Sequence, residues 1–581
     1  MKRLLLLLAF CTTASAQSIA PLPFDHIMHY DELTKLLQSW AGARPNLVKI
    51  ESIGTTPQGR PIWFLTLTNQ KTGAALEKPA LIVDGNMHAT EWGGGVAALH
   101  FVWKLLDGYG RDERITRLLD SRTVYVLPRM TPDGVEATLA QGRFIRSVDR
   151  PYPNQPLQPG INPSDIDGDG RTVFMRYRDP NGPWKAYAAD PRLMVRRAPD
   201  ETGGEYWRVQ PEGLITDYNG ATIADPAPHE PLDFGANFPA DLGTAPNRTA
   251  GPYPTSEPEV AAYIAAIAQR PNIVAHVTCH TFGGLVLTPP VNIGEKLPSS
   301  DRHNYEILAA RAAALTGYQA MSYLDLRVED REAYIPSAFG WLYNRRGIYS
   351  FITEFWNPLR AAGITIEANN TESGWLFGFH PIEDEVKLLR WSDKELGGQG
   401  FVAWHPFNHP QLGPVEIGGF DLIRYWYNIP FDRLEKEVAP HSDWLIYLGL
   451  ATPRLAIRSL TAQPAGPDLW RVRLIVENTG WLPTNGSQEA ADQQIVGNVI
   501  ADLTLPPNAH LVDGDAHRSL GQLAGRSDQR STATWWGYSA GTPDRAVVDW
   551  IVAAPVGTRL TATASHDRAG VARADVVLKG D

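Results

Sequence analysis

Cysteine is nearly missing from this chain. Among 581 residues only Cys11 and Cys279 are cysteine, and Cys11 sits in a segment with the marks of a removable leader. A mature chain keeping Cys279 alone can form no intramolecular disulfide, so its stability must come from packing or bound metals. Long apolar runs are also missing beyond the N-terminus, which argues against a membrane-spanning helix there. Basic blocks are absent and the formal net charge is −11. Nucleic acid is therefore excluded as a partner on charge grounds, and the acidity reads as solubility. No internal repeat is visible, and no pattern speaks to oligomeric state.

What is present is a globular composition, with 43% hydrophobic residues, in a chain too long for one core. Two domains are expected, with room for a third. Lys2-Arg3, the apolar run Leu4 to Phe10 and the small residues Ala14-Ser15-Ala16 have the three regions of a secretory signal peptide. Cleavage after Ala16 predicts a secreted or periplasmic protein. A lipoprotein reading of Cys11 is opposed by the bulk of Phe10 before it.

Leu33, Leu36, Leu37 and Trp40 recur at helical spacing and predict an opening helix over 30–43. Val48–Ile50, Ile62–Leu65, Ala80–Asp84, Thr123–Leu127, Ile273–Val277 and Tyr349–Thr353 read as strands, with helices over 92–106 and 257–269. Such alternation predicts an α/β fold, a mixed and mostly parallel sheet with helices on both faces. The α/β unit is expected over 17–440. It would contain a Pro-, Gly-, Asp- and Arg-rich insertion at 147–232 and a connecting segment at 396–440. From 451 to 581 short alternating strands predict an all-β sandwich of accessory function.

The pattern His-x-x-Glu occurs at His29/Glu32, His88/Glu91, His303/Glu306 and His380/Glu383. Only the pair at His88 follows a buried strand through a Gly/Asn turn. His280 and Glu354 stand at the ends of two other predicted strands. In an open α/β sheet that edge is where ligands bind, so these groups can converge. Two imidazoles and a carboxylate are a zinc ligand set, and a further carboxylate can serve as base. A lone His after a strand is usually a hydrogen-bonded cap. An unpaired Glu beside Ile352, Phe355 and Trp356 is less innocent, because burying it costs free energy. His276, four residues before His280, reads as packed deeper in the sheet, and Cys279 as a small buried strand residue.

These motifs resemble the zinc carboxypeptidases of the carboxypeptidase A (funnelin) type. The likeness runs from Tyr30-Asp31-Glu32-Leu33 and Pro45-Asn46-Leu47-Val48 through Gly59-Arg60-Pro61-Ile62 to His88-x-x-Glu91-Trp92. It continues with Thr131-Pro132-Asp133-Gly134, Arg143-Phe144-Ile145-Arg146, Glu257-Pro258-Glu259, His280-Thr281 and the segment from Trp341 to Glu354. The resemblance implies a zinc metallopeptidase with His88, Glu91 and His280 holding one Zn²⁺. It further implies Glu354 as general base and Arg146 as the group that stabilises the oxyanion. Tyr334, Arg143 and Asn237 are the implied substrate contacts, the substrate being a peptide or modified peptide.

One departure is plain. Where the family carries Asp-x-Asn-Arg-Asn-Phe, this chain has Asp233-Phe234-Gly235-Ala236-Asn237-Phe238. The Asn-Arg pair that binds a free C-terminal carboxylate is missing, and with it the bidentate contact that singles out a chain terminus. Either another arginine substitutes (Arg143, or Arg171, Arg176 and Arg178 from the insertion), or the substrate carries no free carboxylate there. The second case describes an endopeptidase, amidase or deacylase. A binding protein that kept the fold without catalysis is the rival outside the enzymes.

Within the insertion, Asp165, Asp167 and Asp169 alternate with Gly168 and Gly170 like the first half of a calcium loop. Arg176 stands where the closing Glu of an EF-hand would be. A structural Ca²⁺ and an acidic turn held by neighbouring arginines are both consistent with the pattern.

Overall fold

The computed structural model describes residues 19–239, 249–289, 297–323, 338–366, 375–376, 378–529 and 541–579. The expected leader at 1–16 and Tyr334 lie outside them. The core is an eight-stranded mixed sheet. From edge to edge its strands are Val48–Thr55, Pro61–Leu67, Thr123–Leu127, Ala80–Gly85, Ile273–Thr281, Tyr349–Phe355, Leu285–Thr288 and Gln319–Ser322. The four central strands run parallel, from Thr123–Leu127 to Tyr349–Phe355. Their burial is continuous rather than alternating, as both faces are covered.

Helix Trp92–Gly108 is apolar nearly all round because it is the inner layer, buried between this sheet and helix Phe431–Ala451. Its entry crosses the sheet at very short range. A Cβ at Gly94 would stand 2.1 Å from the Cys279 carbonyl oxygen, so only glycine permits the approach. Helix Phe431–Ala451 contributes Leu434, Val438, Trp444, Leu445 and Leu448 to the same core and ties to it through His100 Nδ1 and Ser442 Oγ at 2.7 Å. Each such fully buried side chain is worth roughly 2 kcal/mol of transfer free energy.

The segment 147–232 carries more regular structure than its sequence suggests. Strands Phe174–Arg178, Trp184–Tyr187, Asp190–Arg196 and Trp207–Pro211 form a six-stranded sheet with the hairpin Phe401–His409 and Gly413–Phe420. Residues 396–440 are therefore not a plain connector: they supply two strands of that sheet and the start of the helix that crosses residue 440. Beyond it stand two four-stranded antiparallel sheets. One contains Leu455–Gly466 and Leu469–Asn478, the other Arg559–His566 and Gly570–Val577. Trp470, Val472, Leu474, Trp550 and Leu560 share the core between them.

Candidate metal centre and catalytic site

His88 and Glu91 lie in the tight loop after strand Ala80–Gly85. Asn86 adopts φ 50°, and its amide donates to the Glu91 carbonyl at 2.7 Å, closing the turn. The loop is stitched to the segment before the insertion: Ala89 N donates to the Arg146 carbonyl at 2.7 Å, and Thr90 Oγ1 donates to the Ile145 carbonyl at 2.8 Å. This stitching carries Arg146 to the site. From the other side, strands Ile273–Thr281 and Tyr349–Phe355 run parallel with His280 directly opposite Glu354.

The ligand atoms converge. His88 Nδ1 lies 2.9 Å from one Glu91 oxygen, and His280 Nδ1 lies 2.8 Å from the other. The two imidazole Nδ1 atoms are 3.0 Å apart. All three residues are buried. A tetrahedral Zn²⁺ at 2.0–2.1 Å from each atom would set them about 3.3 Å apart, so the groups need to part by only a few tenths of an ångström. Donor types, separation and burial fit zinc.

Around this centre is a second ring of partners. His88 Nε2 meets Asp233 Oδ1 at 3.1 Å, Asp233 Oδ2 accepts from Arg146 Nε at 3.0 Å, and Arg146 Nη1 donates to Glu91 at 3.0 Å. His280 Nε2 contacts Thr278 Oγ1 at 2.9 Å, which donates to Asp84 Oδ1 at 2.6 Å. Asp84 also binds His276 Nε2 at 2.6 Å and the Tyr263 hydroxyl at 2.7 Å. Such partners orient ligating imidazoles. His276 thus sits deep in the sheet, as expected of it, and is wholly buried.

The electrostatics follow from these contacts. Burial alone would raise the Glu91 carboxyl; the His88 and His280 rings reverse this and hold it well below its ordinary range. Burial opposes the Asp233 charge too, and Arg146 and His88 overcome it. The His88 ring is pushed down by burial and Arg146, yet Glu91 and Asp233 leave it raised. Glu91 and Asp233 are thus held in their charged form, and a divalent cation would have to displace the proton that the raised His88 ring favours. Glu354 lies close enough to Arg146 for its charge to favour the guanidinium. Burial pushes the Cys279 thiol well above its usual value, which removes it as a nucleophile.

The arginines and the asparagine expected to meet substrate have partners within the chain. Arg143 is committed to Gln141, Asp149 and Glu230. Arg176 pairs with Glu416 and is sandwiched between Trp207 and Trp404, while Arg178 pairs with Glu205. Arg171 lies 3.6 Å from Asp421. The Asn237 amide is spent on Ala250, Tyr253, Ser256 and the Glu257 N–H, so its role in the fold is to pin the chain before helix Pro258–Ala268. Position 235 does face the centre. A Cβ there would stand 3.8 Å from His88 Nε2.

In the acidic loop, the carboxylates that gather are Asp165, Asp167 and Glu212, not Asp169. Asp169 instead accepts from Arg171 N, and Asp165 accepts from Gly168 N and Gly170 N. Asp167 also meets His405 Nε2 at 2.8 Å. The loop is held largely by its own amides. Glu212 and Asp233 are the acidic residues that sequence reading passed over in these two clusters. Asp233 was signalled by its motif, Glu212 by nothing local.

Known proteins give the same family. The zinc carboxypeptidase model matches residues 33–186 and 218–387, and a domain of unknown function matches 454–577. A zinc carboxypeptidase of Saccharothrix mutabilis subsp. capreolus is 34% identical over 116 residues, which is 20% of this chain and 26% of that protein. Human carboxypeptidase B is 37% identical over 125 residues, 22% of this chain and 29% of the relative. An inactive metallocarboxypeptidase of Saccharomyces cerevisiae is 31% identical over 21% of this chain and 29% of its own length. The chain thus spans less than a third of each of these relatives. Among solved structures, carboxypeptidase A of Helicoverpa armigera is 18% identical, with 65% of this chain and 76% of that one covered at a TM-score of 0.37. With the matched segments covering more than half of its length, the chain belongs to the zinc carboxypeptidase family.

Proposed function

We propose that this protein is a zinc-dependent metallopeptidase that hydrolyses an amide bond in a peptide or modified peptide. The observation that carries this reading is the convergence of His88 Nδ1, Glu91 and His280 Nδ1, with Glu354 directly opposite His280 in the sheet. Held by those three residues, Zn²⁺ supplies the Lewis acidity that lowers the pKa of a water and polarises a carbonyl. Glu354 takes the proton from the attacking water and returns it to the leaving nitrogen. Arg146, fixed by Asp233, donates to the charge that develops on the carbonyl oxygen. A binding protein without catalysis would have no use for Glu354 in that place.

The substrate reading follows from Gly235 and Ala236. No guanidinium fork stands at those positions, and Arg143, Arg176 and Arg178 are each paired to carboxylates. We assign the enzyme to substrates whose C-terminus is internal, blocked or modified. Metal analysis with turnover tests the chemistry: Glu354→Gln keeps one zinc per chain and loses roughly 10²–10⁴-fold in kcat. Full activity of that variant would overturn the mechanism. Matched peptides with free and amidated C-termini test the specificity, with comparable kcat/KM expected and a strict need for the free acid refuting it.

A further inference from the structure

Residues Leu422–Tyr427 form a π-helix, a wide turn found often at functional sites. It lies outside the two segments matched by the zinc carboxypeptidase model. It is nevertheless tied to both halves of the metal centre. Asn428, buried just after it, donates from Nδ2 to the Thr90 carbonyl at 2.7 Å and to the Ile423 carbonyl at 2.9 Å. Its Oδ1 accepts from Gly93 N at 3.2 Å. Thr90 and Gly93 flank Glu91. On the other side, Trp356 Nε1, two residues beyond Glu354, donates to the Tyr425 carbonyl at 3.1 Å.

This bracing places Tyr427 in a triad of rings. Its centroid is 5.1 Å from that of Phe144 and 5.0 Å from that of Phe282. Phe144 precedes Arg146 by two residues, and Phe282 follows His280 by two, so both rings are carried on the segments that deliver those two groups. Phe144 is 42% exposed, and the other two are half-buried. The fields of Arg146 and Glu91 both reach the Tyr427 phenol, which burial raises overall. Three adjoining aromatic surfaces left partly open to water beside a catalytic centre suit a ligand ring, since stacked or edge-to-face rings gain beyond their buried area.

We infer that Tyr427, with Phe144 and Phe282, is a specificity wall that receives an aromatic side chain or aromatic acyl group flanking the scissile amide. This rests on the hydrolase reading for its catalytic consequence, but the binding itself can be read separately. The probes are blocked tripeptides that differ only in Ala, Leu, Phe or Trp on either side of the scissile bond. In the zinc-loaded protein, Tyr427→Ala is expected to lower the aromatic-over-alanine ratio of kcat/KM at least tenfold. Tyr427→Phe should hold that ratio within threefold of wild type. Phe144→Ala, at an exposed ring, is the second variant and should move the ratio in the same direction. An unchanged ratio in both alanine variants overturns the inference.

Calorimetry with the same peptides on the zinc-loaded Glu354→Gln protein reads binding without turnover. Tighter binding of the Phe and Trp peptides, weakened at least tenfold by adding Tyr427→Ala, supports the wall even if wild type cleaves none of them. That outcome would count against the hydrolase reading alone. Equal affinity for aromatic and alanine peptides refutes the wall.

Discussion

Replacing Asp301 by alanine should uncouple the C-terminal β unit from the catalytic sheet. Asp301 is buried in helix Ser299–Thr316, and each of its oxygens accepts two hydrogen bonds. Oδ1 takes the Tyr349 hydroxyl at 2.7 Å and Gln488 N at 2.8 Å; Oδ2 takes the Tyr343 hydroxyl at 2.8 Å and Glu489 N at 3.0 Å. Two donors come from the strand and helix that lead to Glu354, and two from the first turn of Gln488–Asp492. Alanine removes the acceptor from all four. The two tyrosine hydroxyls are buried and each costs about 1–3 kcal/mol when unpaired, whereas the two part-buried backbone N–H groups can turn to water, so the sum should be about 2–6 kcal/mol. Asp301→Asn keeps the shape but turns two accepting positions into donors, and should lose about half as much. Scanning calorimetry should show the β unit melting in its own transition, well below that of the catalytic core. A midpoint within 2–4 °C of wild type, roughly the shift from 1 kcal/mol in a large domain, would refute the reasoning.

Two further outcomes follow from the same contacts. Asp233→Ala removes the carboxylate behind His88 and frees the Arg146 Nε; zinc affinity in chelator competition should fall about 10–100-fold, and an unchanged affinity would remove Asp233 from the site. Glu212 is pushed up to about 7, first by burial and then by Asp167 and Asp165. A carboxyl with a raised folded pKa contributes stability that is full below its unfolded value of 4.5 and is lost as pH rises through about 7. The loss should approach about 3 kcal/mol between pH 5 and 8 in metal-free buffer. Glu212→Gln should flatten that slope in denaturant titrations, and equal slopes in the two proteins would refute it.

Local order explains what the sequence disclosed. His88 and Glu91 are legible because a single buried strand and the turn after it present them, and His280 and Glu354 because each ends a strand of the same parallel set. Strands Ala80–Gly85 and Ile273–Thr281 are buried at every position and carry apolar runs. The insertion sheet escaped reading for the opposite reason. Its strands have 4–7 residues, they mix arginine with tryptophan, and the burial of Trp184–Tyr187 shows no alternation at all. Their ladder is completed by strands more than 200 residues away, as in the pairing of Arg176 with Glu416. Likewise the contact between His88 and Asp233 spans 145 residues, and nothing around Glu212 announces its meeting with Asp165 and Asp167.

The same division separates reaction from substrate. Every group assigned to the chemistry stands on the central sheet or on a loop stitched to it, where a shift of one atom disturbs close-packed neighbours. The groups that would read a substrate do not share that support. The turn Phe234–Asn237 offers the centre only Gly235, and its one amide side chain is consumed in holding residues 250–257. On the inference drawn above, recognition falls instead to Phe144, Phe282 and Tyr427 of the π-helix, whose following residue Asn428 bonds to the metal loop. A guanidinium anchor selects a charge at one point, whereas a wall of three rings selects a shape and tolerates what lies beyond it. Exchange of the first for the second is how a zinc carboxypeptidase scaffold can keep its bond-breaking chemistry while giving up the requirement for a chain terminus.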